Sequence, residues 1–240
     1  MTAEKPRSVV LLSGGMDSGV CAALAARDTE AAALHVSYGQ RTEARERRAF
    51  DQICDRLGIR RRLVVRNEVL HQIGGSALTD EKIAVPEAHG VEAESRIGKG
   101  PVPITYVPFR NAHFLAAAIS WAEVLGAPRV YIGAVEQDSS GYPDCRPAYY
   151  QAFQEAVKAG TREGTIQIVT PLIALRKTEI VKLGLELKAP FELTWSCYSR
   201  EDTACGACES CVLRLRAFAE AGIEDPIPYA SQPAVLECRK

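Results

Sequence analysis

The sequence has almost no net charge and no long apolar run, and both absences exclude whole classes of protein. Its 240 residues include 29 Lys and Arg against 30 Asp and Glu, which gives a formal net charge of -1. This balance argues against a protein that wraps long duplex nucleic acid through its overall field. No apolar stretch approaches the roughly 20 residues that a transmembrane helix needs, so we expect no membrane span.

We also expect no secretory signal. The apolar run at 9–12 is too short for a signal-peptide core, and it leads directly into a glycine loop. The default compartment is then the reducing cytosol, so we expect a cytoplasmic protein. The sequence nevertheless holds eight cysteines, which in that compartment bind metal or take part in chemistry more often than they form disulfides.

Composition and periodicity place the chain among the α/β proteins. An apolar content of 47% with 25% charged residues is typical of a globular domain. Apolar runs predict strands at 8–12, 30–37, 63–65, 129–134 and 166–169, and helical patterns predict helices at 19–28, 41–57, 111–125, 148–159 and 176–188. This alternation favours a doubly wound, mostly parallel sheet covered on both faces, in which ligands bind outside the carboxyl ends of the strands.

We divide the chain into an α/β domain at 1–190 and a C-terminal segment at 191–240 that carries a cysteine cluster. Within the first domain, 67–108 is rich in Gly and Pro and has little clean period. A loop of about 40 residues inside a compact domain is usually functional or mobile. We interpret it as an insertion near the active site, and a disordered surface loop is the alternative.

The string SGGMDS at 13–18 joins the first strand to the first helix. Gly14 and Gly15 let the backbone approach a bound group closely, and the loop amides and the helix N-terminus then point at one spot that suits phosphate. Ser13 and Ser18 add hydroxyl donors. A carboxylate repels phosphate, so we interpret Asp17 either as a cap of the helix, a role that Ser18 also fits, or as a ligand of Mg2+. A plain strand-to-helix turn is the alternative for the whole string.

Four cysteines, Cys197, Cys205, Cys208 and Cys211, have the spacing C-x7-C-x2-C-x2-C. A C-x2-C turn holds two thiolates about as far apart as two ligands of one tetrahedral metal ion. Four such thiolates complete a closed zinc site. We therefore predict one structural Zn2+ in each chain, with Gly206 in the tightest turn. An iron–sulfur cluster and a redox-active cysteine pair are the alternatives.

Three polar strings lie where predicted strands end or a predicted helix begins. They are YGQR at 38–41, PFRN at 108–111 and DSSGYPDCR at 138–146. Each string alone is more typical of a turn or a helix cap than of a binding site. Together they surround the glycine loop at the carboxyl edge of one predicted sheet, which favours a substrate site there.

The motifs resemble a known family when they are taken in order. SGGMDS resembles the PP-loop of the ATP-pyrophosphatase (adenine nucleotide α-hydrolase-like) superfamily. With YGQR, YVPFRN, GAVEQDSSGYPDCR, TPL, KTEI, WSCY and CGACESC, the chain resembles the 7-cyano-7-deazaguanine synthase family over roughly residues 8–221. GYPDCR and the cysteine string are the most specific parts, and the stretch 68–105 matches less clearly. Met16 stands where family members often have Gln, a difference that leaves a cradle of backbone amides intact.

This resemblance implies an ATP-dependent ligase that makes a nitrile from 7-carboxy-7-deazaguanine and ammonia, with Mg2+. It also implies a homodimer, and it involves neither nucleic acid nor membrane. In the superfamily the loop holds the pyrophosphate end of ATP, and a substrate oxygen attacks the α-phosphate. The residues that would bind ATP are Leu12, Ser13, Gly14, Gly15, Met16, Asp17, Ser18, Gly19, Val20, Cys21 and Ala22.

The same resemblance suggests roles for single residues. The predicted catalytic residues are Ser13, Asp17, Ser18, Arg110 and Lys177. Arg110 and Lys177 would neutralise phosphate or carboxylate charge. The predicted substrate contacts are Gln40, Arg41, Asn111, Asp138, Tyr142, Asp144 and Arg146. Tyr142 would stack on the base, and Asp138 or Asp144 would accept from its N–H edge.

Two other classes of function stay open on the sequence. A tRNA-modifying thiolase or lysidine-type ligase would keep the PP-loop and need a basic face, for which 45–48 (RERR) and 60–62 (RRR) are candidates. A thiolase also needs a catalytic cysteine pair, which a zinc ion would occupy. A zinc-ribbon binding module without catalysis is the third hypothesis, and ATP turnover separates it from the enzymes. A homologue that uses a different carboxylate or a peptide acceptor is a further variant of the first hypothesis.

Overall fold

The computed structural model describes residues 5–88, 101–136 and 141–231. Within these ranges the strands form one parallel sheet in the order β3-β2-β1-β4-β5. They are β1 (Arg7–Leu11), β2 (Glu30–Ser37), β3 (Arg61–Arg66), β4 (Arg129–Ile132) and β5 (Gln167–Val169). The chain order reverses between β1 and β4, so the crevice at their carboxyl ends is where a doubly wound sheet binds ligands.

Helices cover both faces of this sheet. They are α1 (Met16–Asp28), α2 (Glu43–Arg56), α3 (Glu68–Ile73), α4 (Arg110–Leu125), α5 (Pro147–Gly160), α6 (Lys177–Glu186) and α7 (Glu209–Glu220), with short 3-10 turns at Pro143–Cys145 and Phe191–Leu193. No helix in the described ranges is long and apolar enough to cross a membrane. The predicted α/β architecture with a parallel sheet is confirmed.

Successive residues of β1 pack into opposite layers. Val10 belongs to the apolar core that α1, α2, α6 and α7 share, whereas Val9 belongs to the core beneath α4 and α5. Both side chains have no exposed surface. Burying such a side chain stabilises the fold by roughly 1.5–3 kcal/mol, so the apolar run that predicted this strand also attaches both helical layers to it.

The start of α1 differs from the prediction. The helix begins at Met16, its N-cap is Gly15, and no side chain caps it. The expectation that Asp17 or Ser18 caps the helix is therefore wrong. The Asp17 carboxylate pairs with Lys177 instead, and the Ser18 hydroxyl donates to the Gly15 carbonyl at 3.0 Å.

The insertion predicted at 67–108 contains α3 and otherwise little regular structure in its described part. Its residues 89–100 lie outside the described ranges. The Ala88 N–H donates to the Ala207 carbonyl at 2.7 Å, and Glu87 forms an isolated bridge with Cys208. The insertion therefore contacts the cysteine segment as well as the main domain.

The C-terminal segment shares its core with the α/β domain. Trp195 and Phe218 are 2% and 1% exposed. They are buried in one apolar cluster with Val20 of α1 and Phe50 of α2. The cysteine segment is therefore packed onto the sheet layer that carries α1.

Candidate active site and metal centre

A cavity of about 280 Å3 opens at the carboxyl edge of the sheet, beside the ends of β1, β2 and β4. Residues from the loops after these strands and from the C-terminal segment line it. The predicted site residues among them are Leu12, Ser13, Gly15, Met16, Asp17, Ser18, Gln40, Arg41, Arg110, Asn111, Tyr142 and Lys177. The fold thus brings together motifs that are far apart in the sequence.

The glycine loop forms one part of the cavity wall. Gly14 has a φ of 97°, and a Cβ at this position would lie 2.6 Å from the backbone carbonyl oxygen of Glu46. The Gly15 N–H donates to the Ser13 hydroxyl at 3.2 Å, and the hydroxyls of Ser13 and Ser18 are 3.0 Å apart. This arrangement places hydroxyls at the N-terminus of α1, where an anion such as phosphate is stabilised.

Asp17 and Lys177 form an ion pair next to this loop. The ammonium group donates to Oδ2 of the carboxylate, and the two side chains are 25% and 13% exposed. Oδ1 of Asp17 is buried and has no hydrogen-bond partner. A buried acceptor without a partner costs about 1–3 kcal/mol, whereas a carboxylate oxygen is a preferred ligand of Mg2+. The donor set therefore fits a hard cation beside a phosphate.

A second part of the wall combines Arg110 with three aromatic rings. Its guanidinium carbon lies 5.5 Å from the Tyr38 ring centroid, 5.9 Å from that of Phe114 and 5.8 Å from that of Tyr142. The guanidinium also donates to the Tyr38 hydroxyl at 2.8 Å. Phe109, immediately before it, has a φ of 58°, a strained conformation for a residue with a side chain. This wall suits a flat, anionic ligand.

Glu46 is held in the cavity wall by two neutral groups. The Thr42 hydroxyl donates to its Oε1 at 2.9 Å, and the Gln40 amide donates to its Oε2 at 3.0 Å. Gln40 is itself fixed, because its carbonyl oxygen accepts from the Tyr38 N–H at 2.9 Å. Burial raises the pKa of Glu46 to about 7, so this carboxyl exchanges its proton near neutral pH.

Arg41 lines the cavity and also holds the insertion in place. Its guanidinium donates to the carbonyl oxygens of Ala77 at 2.7 Å, Asp80 at 3.0 Å and Ile83 at 2.7 Å. Leu78 from the same segment reaches the cavity wall. The structure thus gives Arg41 an anchoring role, and direct contact with substrate stays a prediction.

Asn111 and Asp144 connect α4 to the turn that follows β4. The Asn111 N–H donates to Oδ2 of Asp144 at 3.0 Å, and the Asn111 amide donates to the Asp144 carbonyl at 2.9 Å. Burial raises the pKa of Asp144. Asp144 and Arg146 do not line the cavity, Arg146 is exposed, and Asp138 lies outside the described residues. Their contacts with substrate stay predictions.

The remaining predicted ATP-binding residues lie behind the cavity wall. They are Gly14, Gly19, Val20, Cys21 and Ala22, all buried. A Cβ at Gly19 would lie 3.0 Å from Cγ2 of Thr194, so this glycine allows the C-terminal segment to approach α1. These residues position the N-terminus of α1, and direct contact with ATP stays a prediction for them.

Several lining residues escaped the sequence analysis, namely Glu46, Trp195, Tyr198 and Arg214. Glu46 lies in the RERR string, which is typical of solvated helix charge. Trp195 and Tyr198 belong to the WSCY string, in which the recognisable signal is the metal-ligand spacing of Cys197. Arg214 offered a usable signal, because it is a single charge on the otherwise apolar face of α7 that carries Cys211 and Phe218.

The four predicted metal ligands converge. The sulfur atoms of Cys197, Cys205, Cys208 and Cys211 all lie within 4.8 Å of one another. The Sγ atoms of Cys205 and Cys211 are 3.8 Å apart, about the edge of a tetrahedron whose corners lie 2.3 Å from a zinc ion. Hydrogen bonds from Cys208 and from backbone N–H groups lower the pKa of Cys197 and Cys205. The cluster could thus hold a metal ion, and it takes up both C-x2-C pairs that a catalytic dithiol would need.

The four-cysteine cluster is connected to the glycine loop through the backbone. The Trp195 N–H, two residues before Cys197, donates to the Gly14 carbonyl at 2.8 Å. Arg214 is 1% exposed. It donates to both carboxylate oxygens of Asp225, at 2.7 and 2.9 Å. The cysteine segment therefore supports the loop from behind.

Comparison with known proteins identifies the family. The model of the family described as queuosine biosynthesis protein QueC matches residues 7–222. The 7-cyano-7-deazaguanine synthase of Acidobacterium capsulatum is 65% identical over 230 residues, which are 96% of this chain and 99% of that protein. The synthase of the same name from Koribacter versatilis is 64% identical over 231 residues, or 95% of each chain.

The likeness to one solved structure is more distant. An NH3-dependent NAD synthetase from Campylobacter jejuni is 14% identical with a TM-score of 0.45, over 80% of this chain and 68% of that chain. A likeness at this level carries no argument about fold or function. The family match and the high identities to the two synthases confirm the resemblance that the motifs indicated. This chain belongs to the queuosine biosynthesis protein QueC family.

Proposed function

We propose that this protein is an ATP-dependent ligase that converts 7-carboxy-7-deazaguanine and ammonia into 7-cyano-7-deazaguanine. The observation that carries the proposal is a single cavity in which a phosphate-type glycine loop meets an aromatic wall with Arg110. The name of the two relatives at 65% and 64% identity supports the same activity. Because both relatives align with this chain over nearly their full length, the whole activity can be proposed for it.

The reaction needs the substrate to be activated twice. A carboxylate is a poor electrophile because oxide is a poor leaving group. Transfer of AMP from ATP to a carboxylate oxygen releases pyrophosphate, and ammonia then displaces AMP to give an amide. Activation of the amide oxygen, followed by loss of AMP and protons, gives the nitrile. Ser13, Ser18 and Lys177 would stabilise the charge on the departing pyrophosphate.

Two metal ions have suitable donors in the chain. Asp17 would hold Mg2+, because its Oδ1 is buried without a partner, and the ion would offset charge on the phosphates. The four clustered cysteines would hold one structural Zn2+ that four sulfurs close off from substrate.

The substrate base fits the aromatic wall. We assign Tyr142 to stack on the deazaguanine ring and Arg110 to pair with its 7-carboxylate, since a buried guanidinium among aromatic rings favours a flat anion. Gln40, fixed by the Tyr38 N–H, would contact the polar edge of the base.

The test is incubation with ATP, Mg2+, ammonium and 7-carboxy-7-deazaguanine, followed by mass spectrometry. We expect the amide as an intermediate, the nitrile as the product, and ATP cleavage that depends on the carboxylate substrate. Absence of both the amide and the nitrile from protein that is folded and metal-loaded would refute the proposal. ATP turnover with a different acceptor would favour a ligase of another specificity.

Removal of the Asp17 charge tests the site assignment. Asp17→Asn should lower turnover by about a hundredfold or more, because it removes both the negative charge that pairs with Lys177 and the carboxylate proposed for Mg2+. Asp51→Asn is the matched control, since Asp51 pairs with Arg47 on the surface of α2 and should leave turnover unchanged. Equal effects of the two variants would contradict the assignment.

We further propose that the enzyme acts in the cytoplasm as a homodimer on small molecules, without nucleic acid or membrane. Light scattering on the purified protein measures the mass in solution. A monomer mass at micromolar concentration would refute the proposed dimer, but it would not contradict the proposed activity.

A further inference from the structure

Glu46 presents to the cavity a carboxylate that the proposed activation of the substrate does not use. Its two oxygens accept one hydrogen bond each, from Thr42 and from Gln40. A carboxylate has about four acceptor positions. Two positions are therefore left for a ligand in the cavity that it lines.

The charges around Glu46 favour a small cation as that ligand. Both hydrogen-bond donors are neutral, and no ion pair with Glu46 is present among the described residues. Arg110 faces the carboxyl from α4, and Glu43 faces it from the same turn of α2. Arg110 is already engaged with the Tyr38 hydroxyl. An ionised carboxylate here thus lacks a counterion in contact, which is a costly state for a half-buried charge.

The position of Glu46 places this carboxylate next to the reaction. The backbone carbonyl of Glu46 lies against Gly14, so the first turn of α2 packs on the phosphate loop. On the other side, Gln40 links the carboxylate to Tyr38, which contacts Arg110. The carboxylate therefore lies between the loop proposed for ATP and the wall proposed for the substrate.

We propose that Glu46 binds the ammonium ion and removes its proton, so that ammonia is released beside the activated carboxyl carbon. The inference rests on the proposed function and adds to it a site for the nitrogen substrate. A group whose pKa is about 7 is well matched to proton transfer at neutral pH.

The proton balance of the reaction needs such a group. One proton passes from ammonium to the Glu46 carboxylate, and ammonia then forms the C–N bond while the C–O bond to AMP breaks. The adduct loses a further proton to solvent, which leaves a neutral amide. In the second activation the nitrogen loses two protons as the C–O bond to AMP breaks and the nitrile forms. Glu46, after releasing its first proton to solvent, takes one of these.

The test measures substrate activation and amide formation separately in the variant Glu46→Gln. Exchange of labelled pyrophosphate into ATP reports activation of 7-carboxy-7-deazaguanine and needs no ammonium. We expect this exchange within about threefold of the wild-type rate, together with a loss of ammonium-dependent amide formation of about a hundredfold or more. Asp51→Asn is the control, since Asp51 lies on the same helix outside the cavity wall and pairs with Arg47 on the surface, and both reactions should stay at the wild-type level.

Hydroxylamine distinguishes the loss of a proton acceptor from general damage to the site. It is a neutral nucleophile at pH 8 and needs no proton removal before attack. Glu46→Gln should therefore form the hydroxamate at close to the wild-type rate. Loss of pyrophosphate exchange or of hydroxamate formation in this variant, or full retention of amide formation, would overturn the inference. A wild-type protein without exchange would instead remove the proposed function.

Discussion

At the scale of single residues, the cavity depends on positions where the backbone leaves no room for a side chain. Gly14 combines a φ of 97° with a close approach to the Glu46 carbonyl. Gly58, at the end of α2, has a φ of 68° and no atom within 4 Å of the place that a Cβ would take. An alanine at either position would strain the backbone, but only at Gly14 would its Cβ also collide with a neighbouring atom.

Gly14→Ala is expected to weaken ATP binding strongly. The new Cβ would lie 2.6 Å from the Glu46 carbonyl oxygen, so the loop must move away from α2 and its amides would lose their common direction. Isothermal titration calorimetry with ATP and Mg2+ measures the effect, and we expect a loss of affinity of at least tenfold. Gly58→Ala should lower stability by roughly 1–2 kcal/mol and leave ATP affinity unchanged; equal affinities in the two variants would contradict this account.

His35 makes the stability of the protein depend on pH. It is 1% exposed, its Nδ1–H donates to the Leu12 carbonyl at 3.1 Å, and its Nε2 is buried without a partner. Burial lowers the pKa of His35. Because the folded state holds the neutral ring, its stabilising contribution is complete above the unfolded value of about 6.5 and is lost as the pH falls below it.

Urea unfolding at pH 7.5 and pH 5.5 measures this dependence. We expect a lower free energy of unfolding at pH 5.5, and a smaller difference between the two pH values in His35→Gln, which cannot titrate there. His71→Gln, a change at an exposed histidine of α3, serves as the control and should keep the wild-type difference. An unchanged difference in His35→Gln would show that other groups cause the pH dependence.

At the scale of elements, the cysteine segment and the glycine loop form one supported unit. Trp195 bonds to Gly14, and Cys197 follows two residues later. Arg214 on α7 donates to Thr194 at 2.6 Å and to Asp225. A change at the cysteine cluster therefore reaches the glycine loop through only a few residues of backbone.

Cys205→Ser is expected to remove bound metal and to lower both stability and ATP affinity. Loss of one ligand opens a site whose binding energy is part of the folding energy, and the support of Gly14 weakens with it. Metal content by mass spectrometry, thermal unfolding and calorimetry with ATP measure the three effects. Cys54→Ala is the control, because Cys54 is buried in the same core but is not one of the four converging cysteines; it should cost stability and keep the metal.

At the scale of the whole molecule, the shared core argues that the two predicted segments fold together. Residues from 1–190 and from 191–231 are buried in one apolar cluster. The main domain alone would expose the surfaces of α1, α2 and α6 that pack against Trp195 and Phe218. We therefore expect cooperative unfolding in place of two independent transitions.

Two tryptophans make this expectation measurable. Trp121 lies in α4 of the α/β domain, and Trp195 lies in the cysteine segment. Fluorescence of Trp121→Phe and of Trp195→Phe each reports one region during urea unfolding, and circular dichroism reports the whole molecule. All three transitions should coincide within error in metal-loaded protein. A separate, earlier transition of Trp195 would make the segment an independent unit.

The sequence by itself determined the parallel α/β sheet, the glycine loop and the four-cysteine cluster. These features depend on local patterns: apolar runs, a glycine pair between a strand and a helix, and a fixed ligand spacing. The family motifs also indicated Arg110, Tyr142 and Lys177, all of which line the cavity. Such signals are readable because each lies within a few residues of sequence.

Only the tertiary structure decided how charged groups are used. Asp17 pairs with Lys177 across 160 positions of sequence, so the predicted cap could not be distinguished from an ion pair in advance. In the sequence, Glu46 in RERR has the pattern of solvated helix charge, yet α2 packs on the glycine loop so that Glu46 lines the cavity. Asp144 supports the start of α4 and lies outside the cavity wall. The charge and chemistry of a carboxylate come from its residue type, but its pKa and its partners come from burial and from neighbours that only folding supplies.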